Sequence, residues 1–292
     1  MHNYISNAKV NLSLKILNKR KDGYHNLYSL FVELDLADKL IFTSSSDFKL
    51  SIDCTNEIQM PLNNTNLIIR AYELMRHETS SVVSEYVVHL KKVIPLGSGL
   101  GGGSSNAAFT LKALNELWKL NYSLTKLENL GSVLGADVPF FIRGGFQLAE
   151  GIGDKLTPQN DRILSGLHFL LIIPPFHIDT PKAYNSLNKP LRSAENYSKF
   201  APVSKPVNWQ LFDNDFEKVI QKAYPEISEI KENLQGAGAL YAGLSGSGST
   251  VFGVFDNLKT ADLTREYFSR YQTFLTSPFF HSLFNLSIHK MK

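Results

Sequence analysis

Pro95-Leu96-Gly97-Ser98-Gly99-Leu100-Gly101-Gly102-Gly103-Ser104-Ser105 carries the decisive pattern of this 292-residue chain. Residues 86–93 alternate as a strand that leads directly into it. Beyond it, Ala107, Leu111, Leu114 and Trp118 recur at helical spacing, a helix that Ser104 or Ser105 can cap. A strand, a glycine run and a helix N-terminus together favour anions. Glycines let the backbone come close, and the first helical N–H groups point at the ligand with the positive end of the helix dipole behind them. The run is therefore read as a phosphate cradle.

Which cradle it is follows from its neighbours. Gly97-x-Gly99-x-x-Gly102 fits the dinucleotide fingerprint, but a Rossmann unit places a strand ending in an acid after the helix. Here residues 124–134 read as a second helix, closed by Gly135. A P-loop needs Gly-Lys-[Ser/Thr], and no lysine stands there. His-Arg-Asp and Asp-Phe-Gly, the protein-kinase marks, are missing too. A flexible linker would not sit so tightly between a strand and a helix.

On the N-terminal side, Val10, Leu12, Leu14 and Ile16 alternate with Lys9, Asn11, Ser13 and Lys15. This predicts a strand with one apolar face and with Lys9 and Asn11 on the other. Lys21-Asp22-Gly23 marks a turn. Residues 27–36, 39–43 and 48–52 read as further strands, and residues 66–77 as an amphipathic helix. On the C-terminal side, strands are expected at 167–173, 251–255 and 284–288. Helices are expected at 215–223, 226–234 and 258–270, with a second Gly/Ser loop at 243–250. Strands and helices mix irregularly, so the expected class is α+β rather than a βαβ repeat.

Composition narrows the field. The chain is 43% hydrophobic, enough for a sizeable core, and its net charge of +3 comes without long basic runs, so nucleic acid is not implied. The single cysteine, Cys54, excludes a disulfide and a Cys-rich metal site. Lys9, Asn11 and Lys15 interrupt any signal-peptide core, and the apolar stretch 167–176 is too short to span a bilayer. The expectation is a cytoplasmic protein without membrane contact, a monomer or weak homodimer.

The loop with its Pro95, Gly99-Leu100-Gly101 and Ser104-Ser105-Asn106-Ala107-Ala108 resembles the phosphate motif of the GHMP superfamily of small-molecule kinases, with two extra glycines. The longer form is similar to that of the 4-diphosphocytidyl-2-C-methyl-D-erythritol kinase family of the non-mevalonate isoprenoid pathway. So are Ala8-Lys9-Val10-Asn11-Leu12, the segment Arg20-Lys21-Asp22-Gly23-Tyr24-His25-Asn26-Leu27, and Gly135-Ala136-Asp137-Val138-Pro139-Phe140-Phe141. Leu244-Ser245-Gly246-Ser247-Gly248-Ser249-Thr250 matches the third superfamily motif. Asn106 stands where many relatives carry Asp.

The resemblance implies a two-lobed α+β fold, with an S5-domain-2-like N-terminal lobe (1–152), a ferredoxin-like C-terminal lobe (153–292) and the active site between them. It implies ATP and Mg²⁺ as cofactors, and a cytidine-diphosphate sugar alcohol as substrate. Asp137 would be the base and Lys9 its partner. The loop from Pro95 to Ser105 would take the phosphates, and Asn66 and Lys92 would line the adenine pocket. Read alone, Asn66 is equally a helix cap and Lys92 a strand-end charge. Tyr24 would stack on the cytosine and His25 read its edge, with Tyr184 as second aromatic or as ordinary packing. Asn11, Thr180 and the loop Gly246, Ser247 and Gly248 would touch the substrate. No side chain is assigned to the metal beyond the Ser105 hydroxyl as a candidate. Another GHMP kinase, or a nucleotide-binding regulator without catalysis, are the alternatives. Tyr24-His25 argues against the first, and the pair Lys9 and Asp137 against the second.

Overall fold

The computed structural model describes residues 1–54, 60–79, 82–187, 199 and 201–280. The chain forms two compact units that alternate along the sequence. The first takes residues 1–8, 36–96 and 101–143; the second takes residues 9–35, 97–100 and 144 onward.

Two long strands, β1 (His2–Lys19) and β2 (His25–Ser45), contribute to both units. The expected strands at 27–36 and 39–43 are thus one continuous strand. Ala37 and Asp38 join them with no glycine or proline between, and both are strand residues.

In the first unit, β3 (Lys49–Cys54) lies parallel to β4 (Glu85–Lys92), and β4 pairs antiparallel with residues 39–45 of β2. Four helices follow these strands in space. They are α1 (Leu67–Glu78), α2 (Gly102–Leu117), α3 (Leu124–Leu134) and α4 (Val138–Arg143), with α2 packed on the other three. Phe42, Tyr72, Met75, Leu90, Leu111 and Phe140 form the core, each at 1% exposure or less. Such burial is worth about 1.5–3 kcal/mol per large apolar side chain. The short helix α4 escaped the sequence reading because six residues hold too little periodicity to register.

In the second unit, β5 (Phe146–Gly151) pairs with residues 27–32 of β2 and turns back into β6 (Lys155–Pro158). A four-stranded antiparallel sheet follows, in the order β10-β7-β9-β8. Its strands are β7 (His168–Ile173), β8 (Tyr241–Leu244), β9 (Val251–Phe255) and β10 (Gln272–Thr276). The helices are α5 (Thr180–Asn185), α6 (Glu217–Ala223), α7 (Glu226–Gly236) and α8 (Leu258–Glu266). α7 packs on β8 and β9, and α8 on β7 and β10. α8 ends four residues before the expected 270, where turns lead into β10. The last two residues of β8, Gly243 and Leu244, fall in the stretch expected as the Gly/Ser loop, and β10 was not expected. The expected strand at 284–288 lies outside the described residues. Among the described residues no helix is long and apolar enough to cross a membrane.

Candidate active site

The phosphate loop leaves β4 and enters α2, as the strand–glycine–helix pattern requires. The capping expectation is corrected. Gly101, not Ser104 or Ser105, is the N-cap of α2, with φ of 70° and no side-chain cap. A left-handed residue is needed there, and glycine supplies it without strain. Ser104 and Ser105 fall inside the helix, which opens one turn earlier than its apolar stripe. The first α-type bond runs from the Ser105 N–H to the Gly101 carbonyl (2.9 Å). The N–H groups of Gly102, Gly103 and Ser104 precede it and have no intrahelical acceptor. Pro95 and Leu96 are half-buried, and Leu100 is buried.

In the second unit the middle of the loop is tied down by four contacts. The Thr250 N–H donates to the Ser98 carbonyl (3.1 Å), and the Ser245 hydroxyl to the Gly99 carbonyl (2.8 Å). The Lys9 N–H donates to the Leu100 carbonyl (3.0 Å), and His177 Nδ1 contacts the Gly97 carbonyl (3.1 Å). Gly99 tolerates nothing larger: a Cβ there would stand 2.3 Å from the Ser245 carbonyl oxygen and 3.0 Å from that of Gly248. The second Gly/Ser loop joins β8 to β9 and packs backbone-to-backbone on Gly99. Ser245 and His177 had no role in the sequence reading. Ser245 could have been found from its place in the Gly/Ser motif, whereas His177 carries no local signal.

Asn66 and Lys92 both lie in the first unit, each 4% exposed. Asn66 is the N-cap of α1: its Oδ1 accepts from the Ile68 N–H (2.9 Å) and its Nδ2 donates to the Pro61 carbonyl (2.9 Å). Lys92 ends β4 and forms an ion pair with Asp38. Burial pulls the Lys92 ammonium below the ordinary lysine range, against the pull of Asp38. Asp137 is half-buried in the turn before α4, where the Val138 N–H bonds the Gly135 carbonyl (3.1 Å).

The polar face of β1 is not solvated. Lys9, Asn11, Ser13 and Lys15 are all 5% exposed or less, so both faces of the strand are buried. Lys9 Nζ donates to Asn11 Oδ1 (2.5 Å) and stands 4.8 Å from the centre of the Phe31 ring. Asn11 Nδ2 donates to the Ser29 hydroxyl (3.0 Å), which donates to the Ser13 carbonyl (2.6 Å). The Asn11 N–H reaches the Ser245 hydroxyl (3.3 Å). Period-two alternation placed Lys9 and Asn11 side by side, and they hydrogen-bond.

The His25 ring stacks on Tyr184, with centroids 4.9 Å apart and planes at 12°. Tyr184 in turn meets the edge of Phe216 at 4.9 Å. Tyr24 is 59% exposed, its N–H held by Asp22, which also pairs with Arg20. Burial, with a smaller push from Lys19, lowers the His25 imidazole below its ordinary value. Thr180, at the start of α5, shares a hydrogen bond with Ser247 (2.7 Å). Gly246 comes close to Asn11: a Cβ on it would stand 3.3 Å from Asn11 Oδ1.

Two family models match the chain: GHMP kinases N terminal domain over residues 66–145, and GHMP kinases C terminal over residues 199–272. A 4-diphosphocytidyl-2-C-methyl-D-erythritol kinase of Thermodesulfovibrio yellowstonii is 39% identical over 277 residues, covering 90% of this chain and 93% of that one. One from Bacteroides fragilis is 41% identical over 254 residues, covering 85% and 90%. A crystal structure of 4-(cytidine 5'-diphospho)-2C-methyl-D-erythritol kinase superposes with a TM-score of 0.78 at 30% identity, over 95% of this chain and all of that one. A homoserine kinase from Cytophaga hutchinsonii shares the fold, with a TM-score of 0.71 at 17% identity over 94% and 93%. The chain therefore belongs to the GHMP kinases and, within them, to the 4-diphosphocytidyl-2-C-methyl-D-erythritol kinase family.

Proposed function

We propose that the chain transfers the γ-phosphoryl group of ATP to the 2-hydroxyl of 4-diphosphocytidyl-2-C-methyl-D-erythritol, in isoprenoid precursor synthesis. The observation that carries this is identity near 40% across almost the whole length of kinases named for that substrate. The family models fall on either side of residue 152, which supports 1–152 and 153–292 as N- and C-terminal domains. The kinase acts as a monomer or weak homodimer in the cytoplasm.

The phosphates of ATP lie along Pro95 to Ser105, on the first N–H groups of α2. Asn66 and Lys92 border the adenine. Asp137 takes the proton of the attacking hydroxyl, a role worth about 10²–10⁴-fold. Lys9 compensates charge on the transferring phosphoryl group from a buried position held by Asn11. The His25–Tyr184 stack supports a site for a flat base, where stacking contributes about 1–3 kcal/mol per base. Tyr24, Asn11, Thr180 and the loop Gly246, Ser247 and Gly248 complete the substrate contacts.

Among the described residues no group of three or more His, Cys, Asp or Glu is placed to hold a metal ion. The Ser105 hydroxyl is buried and accepts from Ser6 (2.8 Å). This donor set fits Mg²⁺ brought in on the phosphates better than a resident ion. When bound, Mg²⁺ would neutralise phosphate charge, with Ser104 and Ser105 as the nearest hydroxyls in the loop.

ADP release from ATP and Mg²⁺, with a panel of alcohols, tests the reading. Turnover is expected on the cytidyl alcohol. Turnover on mevalonate instead would sink it, and nucleotide binding with no acceptor at all would favour a regulator. Asp137→Asn should lose about 10²–10⁴-fold in kcat with nucleotide affinity intact; near-normal turnover would remove Asp137 as base.

A further inference from the structure

The Asp38 carboxylate, 1% exposed, lies in the second half of β2, and nothing in its sequence neighbourhood marks it. It accepts four hydrogen bonds. Oδ1 takes the backbone N–H groups of Val93 (2.7 Å) and Ile94 (2.8 Å). Oδ2 takes Lys92 Nζ and Asn106 Nδ2 (2.9 Å). Two of these donors are the last residues before Pro95, and Asn106 follows Ser105 directly. One buried carboxylate therefore holds both ends of the glycine loop. Five of the eleven loop residues are glycine, so the loop does not order itself; its ends must be fixed from outside.

We propose that Asp38 is the positioning residue of the phosphate loop, setting the exit from β4 and the first turns of α2 in the geometry that takes the nucleotide. This rests on the reading of that loop as the ATP phosphate site. The same contact gives Asn106 a reason. Its amide donates to Asp38 and to the Ser6 hydroxyl (2.9 Å), which no carboxylate at position 106 can do when ionised. Gly102 stands where this cluster leaves no room: a Cβ would lie 2.8 Å from Lys92 Nζ and 2.9 Å from the Ile94 side chain. The order of action is Asp38 on the loop ends, and the loop on the phosphates; Asp38 itself touches no substrate.

The test uses the full chain, with calorimetric titration of a non-hydrolysable ATP analogue with Mg²⁺, KM for the cytidyl alcohol, and thermal melting. Asp38→Asn should weaken the analogue about tenfold or more. Asn106→Ala, which keeps the Lys92–Asp38 pair and the strand contacts, should weaken it about threefold. Both should leave KM for the cytidyl alcohol within about twofold, and Asn106→Asp should bind the analogue less well than Asn106→Ala. If Asp38→Asn does not fold, Asn106→Ala decides. Wild-type affinity for the analogue in a folded variant, or equal weakening of both ligands, overturns the proposal. A wild-type chain that binds no nucleotide overturns the functional reading, and this proposal with it.

Discussion

Lys9 is a cation held almost out of water, and its environment explains its tolerance. Burying an ammonium is costly unless it is hydrogen-bonded. The Asn11 oxygen and the Phe31 ring meet part of that cost. His25 is the converse case. Burial holds its imidazole neutral below the usual histidine range, stacked flat on Tyr184. Its folded pKa lies below the unfolded value of about 6.5, so the unfolded chain takes up the proton first as pH falls. The stability that the neutral ring contributes is complete above about pH 6.5 and is lost as pH drops through the folded pKa. If the neutral ring holds the base, KM for the cytidyl alcohol should rise as pH falls through that lowered value while KM for ATP stays level, and His25→Gln should flatten that rise. A profile identical in His25→Gln and wild type would separate His25 from substrate binding.

At the scale of elements, the legible parts were those with long periodicity or distinct caps. Alternation from Val10 to Ile16 revealed β1, and the stripe Leu67, Ala71, Leu74 and Met75 revealed α1. Alternation did not reveal that the polar face of β1 is buried. That depends on Phe31, Ser29 and Ser245, which are distant in sequence. β8 was hidden because Gly243 reads as loop, yet in the sheet it is a strand residue paired with Phe252. The start of α2 was misplaced because glycines carry no apolar stripe, although Gly102 and Gly103 are helical. Asn66 shows two roles meeting on one side chain. As the cap of α1 it satisfies the Ile68 N–H, and Asn66→Ala should cost about 1 kcal/mol of stability. Asn66→Ser keeps a capping oxygen but removes the amide. A variant with near-native melting and weakened ATP binding would assign the amide to the nucleotide. Unchanged ATP affinity would leave Asn66 as a cap alone.

At the scale of the molecule, the compact units do not follow chain order. β1 and β2 each contribute to both, and the glycine loop gives residues 97–100 to one unit and its two ends to the other. A cut near residue 152, natural when reading from one end to the other, is a division of the sequence; the units are a division of contacts. Lys9 and Ala8 are neighbours in one strand and belong to different units. No local pattern encodes this, because it depends on which distant segments each half-strand pairs with. Nucleotide binding has a consequence that does not depend on how the chain is divided. A ligand that binds the native chain and not the unfolded one adds about 2.7 kcal/mol at a hundredfold excess over its Kd. For a chain of this length that should raise the melting temperature by about 5 °C. The non-hydrolysable ATP analogue with Mg²⁺ should give this shift, and on the proposed function EDTA should shrink it and abolish turnover. A melting temperature indifferent to the analogue at that excess would count against the glycine loop as a nucleotide site. Full turnover in EDTA would remove Mg²⁺ from the reaction.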